Sequence, residues 1–299
     1  MMDVDALVSL RAVATYGTVA RAATERGFTP SAVSQQVKRL ERQVGARLLA
    51  PAGRGVVLTP AGRALVGAAD DVLCALERGR TAAANAAGGE PEGVVRVAAF
   101  STAVRGLLAP VLPALAARHP RLRVDVTELD PDPALDALAL GAVDAAVVHD
   151  ADGLPPEVPS GLEQEHLLTD VGDVVLRRDH PLAAGERLTA TRLKGQAWVT
   201  SPPGTVCHRW FQRLVATHPG RPDVRHVVDD FSTQLALVEA GGAIALVPRL
   251  ARPPLGPDLV ARPVTPRPRR EVTLVRRTSS ARSPAVRALA DALLRARGR

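Results

Sequence analysis

Four apolar side chains, Val33, Val37, Leu40 and Val44, recur at i, i+4, i+7 and i+11 in a stretch that opens on Thr29-Pro30. That spacing makes one apolar stripe on a helix. Thr29 supplies an N-cap hydroxyl, and Pro30 suits the first helical position. Away from the stripe lie Ser31, Ser34, Gln35, Lys38 and Arg42: slender hydroxyls and an amide first, cations further along. A solvated face more usually mixes Glu and Lys in i, i+4 pairs. Here the leading turns carry no acid, which suits a face pressed against phosphates and base edges. An ordinary surface helix is the plainer alternative for this segment taken alone.

What precedes the helix favours the first reading. Leu7, Leu10, Val13 and Ala14 keep helical spacing, which predicts a helix over residues 3–15 closed near Gly17. Thr18 can cap a short second helix running to Arg26, where Ala22 and Ala23 allow close packing. Gly27-Phe28-Thr29-Pro30 is the turn. Helix, tight turn and cation-bearing helix form a helix-turn-helix. Beyond it, a turn at Gly53-Arg54-Gly55 and the β-prone Val56-Val57-Leu58 predict a hairpin or wing. The bases of this region are Arg21, Arg26, Lys38, Arg39, Arg42, Arg47, Arg54 and Arg63, and only Glu25 and Glu41 oppose them. Such an excess is the electrostatic footprint of a nucleic-acid surface. Ser34 and Gln35 are the expected base contacts, Ser31 a base or backbone contact, and Lys38, Arg39, Arg47 and Arg54 the phosphate contacts.

Ala22-Ala23, Thr29-Pro30-Ser31-Ala32-Val33-Ser34, Leu40-Glu41, Gly45, Leu48, Leu58-Thr59 and Ala61-Gly62, in that order, resemble the N-terminal domain of LysR-type transcriptional regulators. The chain departs from that pattern at Val19, where a bulky aromatic is usual, and at Arg26, where a core leucine is common. Leu49 replaces a frequent phenylalanine. Pro51 replaces an arginine near the wing, a backbone contact that Arg47 or Arg54 would have to supply. The resemblance implies an N-terminal winged helix-turn-helix domain over residues 1–59.

Thr59-Pro60 opens a further helix reaching about Ala87, with Leu65, Val72, Leu73 and Leu76 on its apolar side. Such a helix has more apolar surface than a small DNA-binding domain covers. The resemblance makes it the linker helix (60–90), pairing antiparallel with its twin in a dimer; packing on its own domain is the alternative. Gly88-Gly89-Glu90-Pro91 ends it.

From Gly93 the pattern becomes βαβ. Strands are expected at 94–98, 122–126 and 143–148, with helices at 101–118 and 133–140 between them. A second unit follows, with strands at 173–176, 197–200, 224–228 and 243–247 and helices at 205–217 and 232–240. The strand 271–275 and helix 283–297 return to the first unit. This describes an α/β domain over residues 91–299. One lobe comprises about 91–161 and 265–299, the other about 162–264, and a ligand cleft lies between them. Leu107-Leu108-Ala109-Pro110, His119-Pro120, Gly141-Ala142-Val143-Asp144, His180-Pro181-Leu182-Ala183 and Val238-Glu239-Ala240-Gly241-Gly242 resemble elements of the same family's effector domain, which is periplasmic-binding-protein-like. Ser101 and Thr102 stand where a strand meets a helix start, and Ser201 and Thr205 hold the matching place in the second lobe. The four are the expected holders of a polar effector head, with plain N-capping the alternative for the first pair. Phe231 is set against them as a cleft wall or, more simply, a core residue.

Composition narrows the function. Of 299 residues 46% are hydrophobic but only 2% aromatic, so the cores rest on Ala, Val and Leu. A net charge of +7 fits a polyanionic partner. The seven histidines form no metal-ligand spacing with one another or with cysteine, and no Gly-x-Ser-x-Gly, P-loop or Gly-x-Gly-x-x-Gly occurs. An enzyme is not expected, nor a cofactor beyond a small-molecule co-inducer. Cys74 and Cys207 make no pair; Cys207, near the first turn of a helix where a thiol pKa can be lowered, with His208 and Arg209 beside it, reads as a redox sensor or, more simply, as an inert buried residue with no resolving cysteine nearby. Arg267, Arg269, Arg270, Arg276 and Arg277 read as a solvated or interfacial tail. The opening Met1-Met2-Asp3-Val4-Asp5 lacks the pattern of a secretory signal, and no apolar run approaches about 18 residues. A cytoplasmic regulator is expected, binding double-stranded DNA at a dyad operator as a homodimer or homotetramer, with RNA polymerase a further partner by resemblance and no membrane association. A transport-type solute-binding protein is the rival, but it has no use for the basic front domain.

Overall fold

The computed structural model describes residues 2–53, 55–86, 88–150, 153, 161–216, 221–250 and 252–296. Its N-terminal unit follows from the caps. Helix α1 (Val4–Tyr16) starts at Asp3, whose carboxylate accepts from the Asp5 N–H, and stops at Gly17, whose φ of 73° is the left-handed conformation that ends helices. Helix α2 (Val19–Glu25) is capped by the Thr18 hydroxyl, and α3 (Pro30–Val44) by that of Thr29, which accepts from the Ala32 N–H. Val33, Val37 and Leu40 of α3 are buried, packing with Ala6, Leu7 and Leu10 or with Ala12, Val13, Ala22 and Ala23. Each such side chain contributes roughly 1.5–3 kcal/mol relative to exposure. Strands β1 (Leu49–Ala52) and β2 (Gly55–Leu58) pair antiparallel as the wing. Helix α4 (Pro60–Ala86) leaves from its base, and at Gly62 it passes so close to Leu48 that a Cβ would sit 2.2 Å from the Leu48 carbonyl oxygen.

Strand β3 (Gly93–Ala99) leads into a helical run of three parts: α5 (Ser101–Ala103), a π turn (Val104–Leu108) and α6 (Ala109–Arg118). A single helix was expected here. Pro110 and Pro113 bring no N–H, so the bonding shifts to i→i+5 ahead of them. Then come β4 (Leu122–Glu128), α7 (Pro131–Ala139), β5 (Ala145–His149) and β6 (Leu162–Arg177). Beyond these are β7 (Leu188–Thr189), β8 (Ala197–Thr200), α8 (Val206–Val215), β9 (Asp223–Val227), α9 (Phe231–Ala240) and β10 (Ile244–Pro248). The chain ends with β11 (Leu259–Thr265), β12 (Arg269–Arg277) and α10 (Pro284–Arg295).

Among the described residues the sheet runs β4-β3-β5-β12-β6-β10-β8-β9, with β11 on β6 and β7 on β11. β3 pairs parallel with β4 and β5, and β8 pairs parallel with β9 and β10. β12 and β6 run antiparallel between these two sets. β6 is far longer than the expected 173–176. Its first half is rich in charge, so no apolar alternation betrays it; it is held by the β12 ladder and by Glu163 and Glu165 pairing with Arg276. β11 was not expected either, since Pro263 interrupts it; it lies beside β6 with the short β7 on its other side.

Each lobe buries both sheet faces. Val95, Val97 and Ala99 face Leu107, Leu108, Leu115 and the α10 residues Val286, Leu289 and Leu293, while Ala98, Ala146 and Val148 face Leu135 and Leu138 of α7. In the other lobe Val174 and Leu176 pack with Trp198, Trp210 and Phe211, and Val175 and Val199 with Phe231, Leu235 and Val238. The few aromatics are thus concentrated there.

The cationic tail departs from expectation in part: Arg267 and Arg269 are exposed as expected, but the others turn inward. Arg270 is fully buried against Asp170, Arg276 is mostly buried, and Arg277 is 11% exposed and holds Glu77 of α4. The arginines lie inside because acids on neighbouring elements meet them. Arg277 Nε and Nη2 bond the Glu77 carboxylate, and its Nη1 donates to the Leu138 and Val143 carbonyls at 2.8 and 2.5 Å. With Arg11 Nη2 donating to the Ala139 carbonyl at 2.7 Å, this seats the N-terminal unit on the first lobe.

Candidate nucleic-acid interface and interlobe seam

On α3 the side chains of Ser31, Gln35, Lys38, Arg39 and Arg42 are exposed and Ser34 is half-buried. The acid that sequence places beside them, Glu41, turns inward: its Oε1 accepts from the backbone N–H groups of Leu48 and Leu49 at 2.8 and 3.4 Å. This orders the entry to the wing and ties one oxygen of that carboxylate to the backbone. Along the C-terminal half of α3 and the residues just after it lies a cavity of about 720 Å³ lined by Gln35, Lys38, Arg39, Glu41, Arg42, Gly45, Ala46 and Arg47. Arg39 also pairs with Asp3 at 3.2 Å while staying half-exposed. Arg47 is exposed, its carbonyl fixed by the Thr59 hydroxyl. Arg54 lies outside the described residues. The exposed cations of this face suit an anionic, groove-bearing polymer, and the α3 N-terminus adds a partial positive charge beside Ser31.

The second site lies where the lobes meet. Ser101 is half-buried and occupies the first helical position after Phe100, and the helix start has no side-chain cap. Thr102 is buried, and its hydroxyl accepts from Arg270 Nη2 at 2.8 Å. Across the seam Thr205 caps α8, accepting from the His208 N–H at 3.1 Å and donating to the Pro202 carbonyl. Ser201 is buried, and its Oγ accepts from Gln234 Nε2 at 3.3 Å. Ser201 and Thr205 therefore share one loop network, whereas Thr102 joins another. Phe231 is 5% exposed and packs in the second lobe's core.

Sequence reading missed the residues at the centre of the seam. Arg270 and Asp170 are register partners on β12 and β6, at the point where both strands pass between lobes. Arg270 Nε and Nη2 donate to Asp170 Oδ2 at 3.0 and 2.8 Å, and its guanidinium carbon lies 5.0 Å from the Phe100 ring and 5.6 Å from the Trp210 ring. His149 stacks edge-on against Phe100 with ring centroids 4.5 Å apart. Burial, reinforced by Arg270, pushes the His149 imidazole well below its usual value, so it is neutral. Its Nδ1 then donates to the Asp150 carbonyl at 2.8 Å, leaving Nε2 facing Cys207 Sγ at 4.0 Å. The lowered thiol pKa that redox sensing would need is not there. Cys207 keeps some surface, but its sulfur is enclosed, and burial pushes the thiol up to about 11, a larger effect than the opposing pull of Arg270. The signal for Arg270 was present in the sequence: Arg270, Val272 and Leu274 share one strand face, and the two apolar members are buried.

The mouth of the seam is held by exposed pairs. Arg105 meets Asp230 and Arg209 meets Asp132, each at 3.5 Å across the lobes. Burial raises the Asp130 carboxyl, and Asp229 of the opposite lobe raises it further, so like charges also face one another there. Exposed pairs of this kind contribute about 0–1 kcal/mol each; they are weak latches.

Residues 4–63 match the family described as bacterial regulatory helix-turn-helix protein, lysR family, and residues 88–298 match the LysR substrate binding domain. The small neutral protease regulatory protein of Streptomyces coelicolor is 34% identical over 271 residues, 86% of this chain and 81% of the relative. The HTH-type transcriptional regulator ShiR of Corynebacterium glutamicum is 32% identical over 82% of each chain. Among solved structures, a full-length OxyR variant from Pseudomonas aeruginosa aligns with a TM-score of 0.71 at 21% identity, covering 98% of this chain and 95% of that one. Full-length CbnR in complex with its target DNA aligns with a TM-score of 0.54 at 23% identity, covering 99% of this chain and all of that one.

Proposed function

The chain belongs to the lysR family of bacterial regulatory helix-turn-helix proteins, and from that premise we propose how it reads DNA and senses an effector. It is a DNA-binding transcriptional regulator with an effector-binding domain, not an enzyme. Ser34 and Gln35 contact base edges, and Ser31 a base or the backbone; Lys38, Arg39, Arg47 and Arg54 contact phosphates. The observation that carries this is the acid-free leading face of α3 beside a concavity lined by Lys38, Arg39, Arg42 and Arg47, whose one acid, Glu41, is tied to the Leu48 and Leu49 backbone. Gln35 suits bidentate pairing with adenine. Arg39 exchanges Asp3 for phosphate on docking.

The division at residues 59 and 90 is supported by α4 beginning at Pro60 and β3 at Gly93. Two copies pair through α4, where Val72 and Leu76 are 39% and 48% exposed, and place two α3 helices at half-sites one helical turn or a multiple apart. Ser101, Thr102, Ser201 and Thr205 hold the effector between the lobes. No helix among the described residues is long and apolar enough to cross a membrane, and a regulator of this family works on DNA in the cytoplasm.

Gln35→Ala is expected to cost about 1–3 kcal/mol on operator DNA and relax preference at one base pair, while Lys38→Ala weakens binding to all sequences and lowers the salt slope by about one. Electrophoretic titrations at several salt concentrations measure both. Equal losses on operator and random duplex for Gln35→Ala would reverse the assignment.

A further inference from the structure

The centre of the interlobe seam has more donors than acceptors. Asp170 is saturated: Oδ1 accepts from the Val171 and Leu250 N–H groups at 2.9 Å, and Oδ2 takes both bonds from Arg270. Thr102 accepts the remaining bond from Arg270 Nη2. Arg270 Nη1 is buried with no partner among the described residues, and so is Trp210 Nε1 on the other lobe. Both residues are essentially inaccessible, at 0% and 1%. Buried donors without acceptors are destabilising, more so when charged, and native proteins seldom leave them so.

These donors are held in place. The guanidinium lies between Phe100 and Trp210, one aromatic from each lobe. Trp210 packs against Gly172 so tightly that a Cβ there would come within 2.5 Å of its ring. His149 beside them is neutral and Cys207 is a thiol, so neither supplies a negative charge. Two buried donors, one on each lobe, thus lack acceptors among the described residues at a seam closed only by weak latches.

We infer that Arg270 and Trp210 form the recognition point for the carboxylate of a small organic acid bound between the lobes, Arg270 Nη1 and Trp210 Nε1 donating to its oxygens. This rests on the effector-cleft reading above and deepens it by naming the ligand's class. Binding from both lobes would favour the closed seam, and Arg270 reaches the linker through its own strand, since Arg277 of β12 grips Glu77 of α4.

The test uses the full chain and pairs of probes of matched shape: acetate with acetamide, propanoate with propanamide, benzoate with benzamide, at constant ionic strength. Tryptophan fluorescence and calorimetry report binding, and circular dichroism confirms that each variant is folded. Trp210→Phe keeps the ring and removes the N–H. Arg270→Gln with Asp170→Asn removes both charges together, so that neither is left buried alone. At least one carboxylate is expected to bind saturably and about tenfold or more tightly than its amide. Trp210→Phe weakens it by about tenfold, and the double variant by more. Equal affinity for acid and amide, unchanged affinity in both variants, or no saturable response to any carboxylate would overturn the inference. Operator titrations separate the two readings. If neutral metabolites shift DNA affinity equally in wild type and both variants, the effector cleft stands and the carboxylate assignment falls. If a carboxylate binds as described but leaves DNA affinity unchanged, the receptor stands and its regulatory role falls.

Discussion

Replacing Glu77 by Gln separates the linker helix from the lobe it sits on, and the geometry sets the size of the effect. Arg277 is mostly buried and spends two of its nitrogens on Glu77, at 3.0–3.1 Å from Nε and 2.6 Å from Nη2. The Ser279 hydroxyl also donates to Glu77. Removing one partner of a buried pair costs about 3–5 kcal/mol. Here Glu77 is a quarter exposed, and Arg277 keeps two carbonyls and Asp144 at 3.4 Å, so about 2–3 kcal/mol is the better figure. Hydrogen exchange over residues 73–86 should then accelerate by roughly 30- to 150-fold. The pH dependence has a definite sign. Burial raises the Glu77 carboxyl, but the hydrogen bonds and charge of Arg277, with Ser279, outweigh it and hold the group below its usual range. The pair's stabilisation is therefore in place above the ordinary carboxylate range and is lost as pH falls through the lowered value. In Glu77→Gln that acid-side loosening should vanish. Unchanged exchange in the variant, or equal acid loosening in both proteins, would refute the argument.

Two further outcomes follow from the packing. Gly62→Ala gains about 1 kcal/mol of helix propensity, but its Cβ would strike the Leu48 carbonyl oxygen, and forcing backbone apart costs about 1–3 kcal/mol. A lower urea midpoint and weaker operator binding are expected; a raised midpoint would show that the wing yields freely. Cys207, with its thiol at about 11, should resist iodoacetamide at pH 8 in the native chain and react once urea unfolds it. Its contribution to stability is full below about 9 and falls as pH rises toward 11, so Cys207→Ala should flatten base-side destabilisation in that window.

Much of the N-terminal unit was legible because its signals are local. Thr18, Thr29 and Gly17 mark helix ends by short-range hydrogen bonding and backbone sterics, and the stripe Val33, Val37, Leu40 names the buried face without reference to any other element. The parallel strands of both lobes were found for the same reason, as short valine-rich runs between helices, some apolar throughout and some, like β4 and β9, alternating with charge. The first half of β6 was not, since it carries Glu163, Glu165 and His166 and owes its conformation to a ladder with residues about a hundred positions away.

By itself the sequence determined most of the helices and the parallel strands, which face of α3 is buried and which left exposed, and the family to which the chain belongs. Tertiary structure alone decided where the charges go. Arg270 and Arg277 look like any exposed arginine in a basic tail, yet one is buried against Asp170 and the other against Glu77. Burial of a charge depends on whether a distant acid meets it, because the cost of desolvation is recovered only through a partner at hydrogen-bond distance. The same holds for Cys207 and His149, whose surroundings come from two different lobes. Spacing along the chain carries periodicity; it does not carry proximity, and the chemistry of the seam is a matter of proximity.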